Sequence, residues 1–195
     1  MMNCRIYGNW SPQIDAESAS DGLVSITNCF VAGDIDGKGA FTARNKLDPD
    51  GGVGIQTARG RIDHCTIVNC SQGIVVSDKV SIGNSIIVNC AKALIEVRST
   101  AVNFFTMRNT ILYGGDFVFG DKKVSQSGWA EFVKPAKWAI DNLWANPQLL
   151  PPFFSLPSDS PYKTFGQYGR TSGAVLPPFA RWNPDQKEVY IRPAP

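Results

Sequence analysis

The charged residues best suited to chemistry lie in one segment of the chain, residues 33–52. Two Asp-x-Asp-Gly sequences begin there, at Asp34 and at Asp48. Neighbouring carboxylates supply the oxygen ligands that Ca²⁺ prefers, but no glutamate stands where a complete calcium loop carries its bidentate ligand. Asp-Gly pairs are also common in tight turns. The segment therefore predicts either a Ca²⁺ site or two turns. The candidate metal ligands are Asp34, Asp36, Asp48 and Asp50.

Acid–base catalysis is the second chemistry that this segment predicts. Glycoside hydrolysis needs two carboxylates about 5–10 Å apart, and proton abstraction needs a positioned base. Long loops in compact folds are usually functional or disordered. The catalytic candidates are Asp34, Asp36, Lys38, Arg44 and Lys46. The candidates for substrate binding lie on either side of this segment and are Asp15, Glu17, Gln56, Arg59 and Arg61. For each of these residues the alternative is a solvated surface position.

The single histidine and the five cysteines have simpler structural interpretations. His64 invites a catalytic role, but it stands where asparagine occurs in other copies of a repeat, so a hydrogen-bonded structural role is favoured. No Cys-x-x-Cys pair is present, and the cysteines recur at equivalent repeat positions. We predict columns of buried, reduced thiols. The alternatives are a disulfide between neighbouring repeats or a metal site.

A repeat organises the first part of the chain, and its clearest copy is residues 80–90, Val-Ser-Ile-Gly-Asn-Ser-Ile-Ile-Val-Asn-Cys. In each copy, apolar residues flank an Asn or His that is followed by a small residue. These positions are separated by 25, 36, 20 and 25 residues, and the longest step contains the charged segment. Periods of this length are typical of repeat architectures. The Asn or His positions are Asn3, Asn28, His64, Asn84 and Asn109.

The composition of the copies indicates strands. They are rich in Ile, Val, Thr and Phe and are interrupted by Gly, Asn and Ser. Each copy has three short apolar segments, two of which meet at the Asn. Stacking such units about 4.8 Å apart pairs every strand in parallel around an apolar core. Asn also tolerates the left-handed conformation of a sharp corner. We therefore predict an all-β solenoid, a parallel β-helix of about five coils.

These repeats resemble the right-handed parallel β-helix family of pectate-lyase-like and other polysaccharide-active proteins. The C-terminal part is similar to the ending of secreted members, with a short helix followed by residues 141–150 (DNLWANPQLL) and 154–161 (FSLPSDSP). The resemblance covers residues 1–169. It implies a right-handed solenoid, an extracellular or cell-surface location, and a polysaccharide or other glycan as partner. Because this family hosts many reactions, the resemblance does not fix one.

The predicted organisation has three parts. Residues 1–120 form the coils, 121–169 form a short helix and a wrapping C-terminal cap, and 170–195 form a Pro-rich tail. The repeat phase predicts an outward column of Asp15, Gln56, Val75 and Ile95 on one sheet. It also places Met1 inside a coil. A solenoid end needs a cover, so we expect further N-terminal coils or a partner chain there. The alternative is a frayed first coil.

Composition limits the function classes. The chain has 195 residues, of which 43% are hydrophobic and 18% charged, which is typical of a folded domain. A net charge of +2 gives no argument for nucleic-acid binding, and no apolar run is long enough for a membrane span. Two hypotheses follow. One is a carbohydrate-active β-helix, either a polysaccharide lyase or a glycoside hydrolase. The other is a non-catalytic structural or glycan-binding subunit of a larger assembly.

Overall fold

Short β-strands dominate the fold. The computed structural model describes residues 1–7, 12–17, 22–33, 52–150, 155–175, 180–182 and 189–191. Within these ranges the chain forms one α-helix, α1 (Trp129–Val133), and three short 3-10 turns at Gln126–Gly128, Pro161–Thr164 and Gln167–Gly169. In chain order the strands are β1 (Arg5–Tyr7), β2 (Ile14–Ala16), β3 (Val24–Thr27), β4 (Phe30–Ala32), β5 (Val53–Thr57), β6 (Gly60–Asp63), β7 (Thr66–Val68), β8 (Gln72–Val76), β9 (Val80–Gly83), β10 (Ile86–Val88), β11 (Ala93–Val97), β12 (Thr106–Arg108), β13 (Ile111–Tyr113), β14 (Phe117–Phe119), β15 (Lys122–Val124), β16 (Ala139–Ile140), β17 (Leu143–Trp144), β18 (Ala180–Trp182) and β19 (Val189–Ile191).

The strands β1 to β17 form three sheets that the chain visits in rotation. Sheet 1 has the order β1-β4-β7-β10-β13-β17, sheet 2 the order β2-β5-β8-β11-β14-β15, and sheet 3 the order β3-β6-β9-β12-β16. Each new strand pairs in parallel with the strand of the previous round, except that β15 turns back antiparallel to β14. The strands β18 and β19 form a separate antiparallel pair. The prediction of an all-β fold with parallel strands and a short helix is confirmed.

Inward side chains of all three sheets pack into one apolar cluster. The parallel register places identical residues in contact from round to round, as in the pairs Ile55–Ile74 and Ile67–Ile87. Buried branched side chains of this kind suit strands, because their restricted rotamers pack well on a pleated surface. The fully buried core isoleucines of sheets 1 to 3 include Ile55, Ile62, Ile67, Ile74, Ile82, Ile87 and Ile95.

The predicted corner between sheets 3 and 1 is present. Its residues adopt the left-handed conformation, with φ between 47° and 56° at Asn3, Asn28, His64, Asn84 and Asn109. Only Asn and a few other residues visit this region at modest cost. Asp141, which the repeat did not predict, takes the same conformation between β16 and β17, with φ of 52°. The corner therefore recurs in every described round from Asn3 to Asp141.

Backbone hydrogen bonds link each corner to the next. The amide of His64 donates to the carbonyl of Gly83 at 3.1 Å, and the amide of Asn84 donates to that of Arg108 at 3.1 Å. The same bond joins Asn28 to Asp63 at 3.0 Å. These bonds satisfy the polar groups that a sharp bend would otherwise leave unpaired. They also fix the register of consecutive rounds.

The position after the corner carries a column of small side chains. It is occupied by Cys29, Cys65, Ser85 and Thr110, all of which are buried. All five cysteines are free thiols, as predicted. In a second column, burial raises the pKa of Cys90 to about 12 and also raises the pKa of Cys70. Both thiols are consequently protonated at neutral pH and pack as small apolar groups.

Aromatic residues pack over the last round of the core. Phe117 lies edge-on to Trp129 of α1, with ring centroids 5.3 Å apart, and stacks on Trp138 at 5.7 Å. Trp129 in turn contacts Trp144 of β17 at 5.4 Å. The helix lies within residues 121–169, where the sequence predicts a short helix, and it ends at Val133. This cluster closes the core beyond β14.

A C-terminal strap, residues 155–175, returns along the outer face of sheet 1. Side chains of the strap pack on an outer apolar cluster that includes Phe30, Ile86 and Ile111. The strap also bonds to the corner, because the Val175 amide donates to the Asn28 side chain at 2.6 Å. The contacting strap residues are Leu156, Tyr162, Phe165 and Ala174. Tyr168, by contrast, is 87% exposed.

The predicted outward column of sheet 2 is wrong at Ile95, and Val75, which does lie in the column, is only 2% exposed. Ile95 pairs with Ile74 in the core and is fully buried, and the outward residue is Glu96, which pairs with Val75. Asp15 and Gln56 do occupy this column. The error is a slip of one residue, which moves a side chain to the opposite face of a strand.

Replacing Asn84 tests the corner. Asn84→Gly keeps the positive φ but removes the side-chain bonds, so we expect a loss of about 1–3 kcal/mol in unfolding free energy. Asn84→Ala should lose about 1 kcal/mol more, because alanine is strained in the left-handed region. Urea denaturation measures both values. Asn89→Gly is the control, because exposed Asn89 has a similar φ of 54°. A change of more than about 0.5 kcal/mol in the unfolding free energy of that control would contradict the claim that the Asn84 side-chain bonds cause the loss.

Candidate functional site

The predicted catalytic and metal residues cannot be placed. Asp34, Asp36, Lys38, Arg44, Lys46, Asp48 and Asp50 lie outside the described residues. The Ca²⁺ site and the catalytic set therefore remain predictions. Among the residues that the structure does describe, no three His, Cys, Asp or Glu side chains form a cluster suited to a metal. In the same part of the chain, no helix is long and apolar enough to cross a membrane.

Three of the predicted substrate-binding residues come together on the outer face of sheet 2. Asp15 pairs with Gln56 in the strand register, and the Gln56 amide donates to the Glu17 carboxylate. Arg98, three rounds further along the chain, donates to Glu17 at 2.6 Å. On this face the polar groups bind each other, so Glu17 and Gln56 are committed to internal contacts.

The two predicted arginines lie elsewhere. Arg59 sits in the bend between sheets 2 and 3 and pairs with Asp78, with Nε and Oδ2 2.5 Å apart. Arg61 is on the outer face of sheet 3, on β6. The predicted binding set is thus divided between two sheets and the bend that joins them. A second group of polar residues surrounds Arg61.

Asp63 is the centre of that group. Its side chain is only 10% exposed, and a buried carboxylate needs hydrogen-bond donors around it. Asn84 donates to its Oδ1 at 2.8 Å, and Arg61 donates to its Oδ2 at 2.7 Å. The Nδ1 atom of His64 lies 3.2 Å from the same Oδ2. The carboxylate is held in place by three neighbours.

The parallel register makes room for this carboxylate. Asp63 lies beside Gly83 on the next strand, and a methyl group at Gly83 would lie 2.8 Å from the Asp63 Oδ1 atom. Only glycine at this position accepts the carboxylate without displacement. On the far side of Gly83, Arg108 continues the same column on β12.

We call the resulting depression the polar groove. It has a volume of about 160 Å³ and is lined by Arg61, Asp63, Ser81, Gly83, Asn84, Arg108 and Gln167. The backbone amide of Gln167 in the strap donates to the Asn84 side chain at 2.6 Å, which ties the strap to the groove. The guanidinium of Arg108 has no hydrogen bond or ion pair to any described residue. With two guanidinium groups and one carboxylate, the groove carries an excess positive charge.

This arrangement suits recognition of an anion. A guanidinium group binds a carboxylate or phosphate through paired, charge-assisted hydrogen bonds. Arg108 is available for such a ligand, whereas Arg61 is shared with Asp63. The hydroxyl group of Ser81 adds neutral hydrogen-bonding capacity, whereas the Asn84 side chain is buried and already bonded to Asp63 and Gln167. A ligand with one acidic group and several hydroxyl groups fits these partners.

Sequence reasoning found Arg61 but missed the rest of the groove. Asp63, Ser81 and Arg108 lie on three successive rounds, and Gln167 comes from the strap. The available signal was alternation within each strand, where Arg61 and Asp63 flank inward Ile62. Aligning the copies at their corners would have placed Asp63, Gly83 and Arg108 in one column. His64 occupies the predicted structural corner and also contacts Asp63.

Comparisons with known proteins add no assignment. No protein-family description, curated protein or solved structure matches this chain. Function must therefore be argued from the groove itself.

Gly83→Ala tests the fit of the buried carboxylate. The added methyl group must displace Asp63 and weaken its hydrogen bonds, so we expect a loss of about 1–3 kcal/mol in unfolding free energy. Chemical denaturation measures this loss. Gly22→Ala is the matched control, because a methyl group there would meet no atom within 4 Å. Equal stability of the Gly83 variant and the unmodified protein would show that the carboxylate is not confined.

Proposed function

We propose that this chain is a right-handed parallel β-helix that binds an acidic polysaccharide in the polar groove. The rotation of the chain through three parallel sheets supports the solenoid part of the proposal. The resemblance of the repeats to polysaccharide-active proteins supports the choice of a glycan. In this proposal the chain acts outside the cell or at its surface, where such polysaccharides occur.

The observation that carries the proposal is the guanidinium of Arg108. It lines the groove together with Asp63, whose carboxylate is paired with Arg61, and it makes no ion pair itself within the described part of the chain. A uronic acid residue would place its carboxylate on Arg108 and its ring hydroxyl groups near Ser81. The carboxylate of such a ligand would pair with Arg108, while Asp63 keeps Arg61 as its own partner.

The shape of the groove also favours an extended ligand. Its side chains come from β6, β9 and β12, which follow one another at about 4.8 Å per strand. A linear glycan lying along the stack would present successive rings to successive rounds. The polar side chains of sheet 2 are less suited to this role, because Glu17, Gln56 and Arg98 already bind each other.

Arg108→Ala should weaken binding of a galacturonate disaccharide about tenfold or more, since a hydrogen bond to a charged group contributes about 1.5–3 kcal/mol. Arg108→Lys should have an intermediate effect, because lysine keeps the charge but loses the paired geometry. Isothermal titration calorimetry measures these affinities, which should also fall as salt increases.

Arg98→Ala is the matched control for this experiment, since Arg98 lies on sheet 2 and pairs with Glu17. Its affinity for the disaccharide should equal that of the unmodified protein. Equal losses in the Arg98 and Arg108 variants would contradict a specific site in the polar groove. Absence of binding by the unmodified protein would refute the proposed function.

Cleavage of the bound glycan is a second candidate function, and the contact between His64 and Asp63 favours it. A carboxylate that holds Nδ1 of an imidazole orients the ring as a base. In a lyase reaction the base would take the proton next to the uronate carboxylate, and the glycosidic C–O bond would break with formation of a C=C bond. The leaving sugar oxygen would gain a proton.

Turnover on polygalacturonate separates the two candidates. A lyase would produce ultraviolet absorbance from the unsaturated product, and His64→Asn should abolish it. Asparagine holds the corner position in the neighbouring rounds, so this variant should fold and still bind the polymer. If the unmodified protein produces no unsaturated ends and no new reducing ends from a panel of glycans, cleavage is excluded and binding alone remains.

A further inference from the structure

A second depression lies next to the polar groove, at the bend between sheets 2 and 3. We call it the corner groove; it lies at the bend between sheets 2 and 3 and is distinct from the left-handed corner between sheets 3 and 1. It has a volume of about 410 Å³ and is lined by Gly22, Leu23, Arg59, Asp78, Lys79 and Phe104. These residues come from four consecutive bends, those that precede β3, β6, β9 and β12. At about 4.8 Å per round, the groove runs for about 14 Å along the stack.

Two large apolar side chains are exposed in this groove. Leu23 is 80% exposed and Phe104 is 54% exposed. Single exposed apolar residues are common on protein surfaces. Here, however, both line the same depression, at its two ends, and exposed apolar groups framed by polar ones mark ligand grooves. Phe104 offers the flat face of an aromatic ring.

Charged groups occupy the space between them. Arg59 and Asp78 form an ion pair that remains half open to solvent, with side-chain exposures of 50% and 34%. The ammonium group of Lys79 has no hydrogen bond or ion pair to a described residue. The groove thus combines an aromatic face, a donor–acceptor pair and one further positive charge.

This combination matches a pyranose ring that carries an acidic group. The C–H face of a sugar is apolar and packs on an aromatic ring, while its hydroxyl groups need both donors and acceptors, as Arg59 and Asp78 provide. Lys79 would pair with the carboxylate. A partner protein is less favoured, because the two apolar side chains are separated by charged groups and form no continuous apolar centre.

The two grooves are neighbours on the same segments of chain. Arg59 of the corner groove and Arg61 of the polar groove are two residues apart, as are Lys79 and Ser81. Two residues of extended chain span at most about 7 Å. One oligosaccharide can therefore pass from one groove to the other around the bend.

We propose, building on the function proposed above, that the corner groove is a second subsite for the same acidic glycan, with Phe104 stacking on a sugar ring. The subsite makes affinity depend on ligand length. A galacturonate disaccharide fills the polar groove alone, whereas a hexasaccharide also reaches Phe104.

Calorimetric titration of both ligands tests this subsite. Phe104→Ala should weaken hexasaccharide binding about fivefold to tenfold and leave disaccharide binding unchanged. Phe104→Leu keeps apolar area but removes the flat ring, so it should lose nearly as much. Because Phe104 is largely exposed, both variants should keep the fold, as thermal unfolding would verify. Arg108→Ala should weaken binding of both ligands.

The outcomes separate the two proposals. If Phe104→Ala leaves hexasaccharide affinity unchanged, the corner subsite is wrong, and a disaccharide that still depends on Arg108 keeps the proposed function intact. Equal losses for both ligand lengths would likewise refute a separate subsite. If the unmodified protein binds neither ligand, the proposed function fails, and the subsite fails with it.

Discussion

The left-handed corner between sheets 3 and 1 is the constraint on which the rest of the structure depends. At each corner an amide donates to the carbonyl that precedes the next corner, as His64 does to Gly83. This bond fixes the register of the two rounds, so that Ile62 meets Ile82 inside and Asp63 meets Gly83 outside. A slip of one residue would exchange these faces. The corner therefore determines both the apolar core and the columns of outward side chains.

The same register creates the polar groove. A carboxylate is accommodated at Asp63 only because glycine lies beside it and because Asn84, a corner residue itself, donates to it. The strap then binds the other polar atom of the Asn84 side chain through Gln167. One corner residue thus joins the core rounds, the groove and the C-terminal strap. Stability and the shape of the groove are coupled through Asn84.

Much of the fold could be predicted from the sequence because the corner has a local signal. Asn or His recurs before a small residue, and the apolar segments on either side are short. The corner at Asp141 was not predicted because its flanking strands, β16 and β17, have only two residues each. Ile95 was misplaced because β11 is apolar through Ala93, Leu94 and Ile95, which leaves no alternation to set its phase. The recurring Asn or His therefore located the corners more accurately than the apolar pattern located the inward side chains of the strands.

The groove was harder to predict because its residues are distant in sequence. Arg61 and Arg108 have no local relation, and Gln167 comes from the strap. Single charged residues on strands resemble ordinary surface, and only their stacking brings them together. The segment with the densest charges, residues 33–52, attracted the catalytic prediction, and most of it lies outside the described residues.

An NMR titration with the galacturonate disaccharide tests the central claim most directly. We predict shifts of the backbone amide signals of Arg61, Ser81, Arg108 and Gln167, which border the polar groove. The signals of Gln56 and Glu96 on sheet 2 should stay in place. Shifts confined to sheet 2, or no shifts at saturating disaccharide, would contradict the claim that the polar groove binds an acidic sugar.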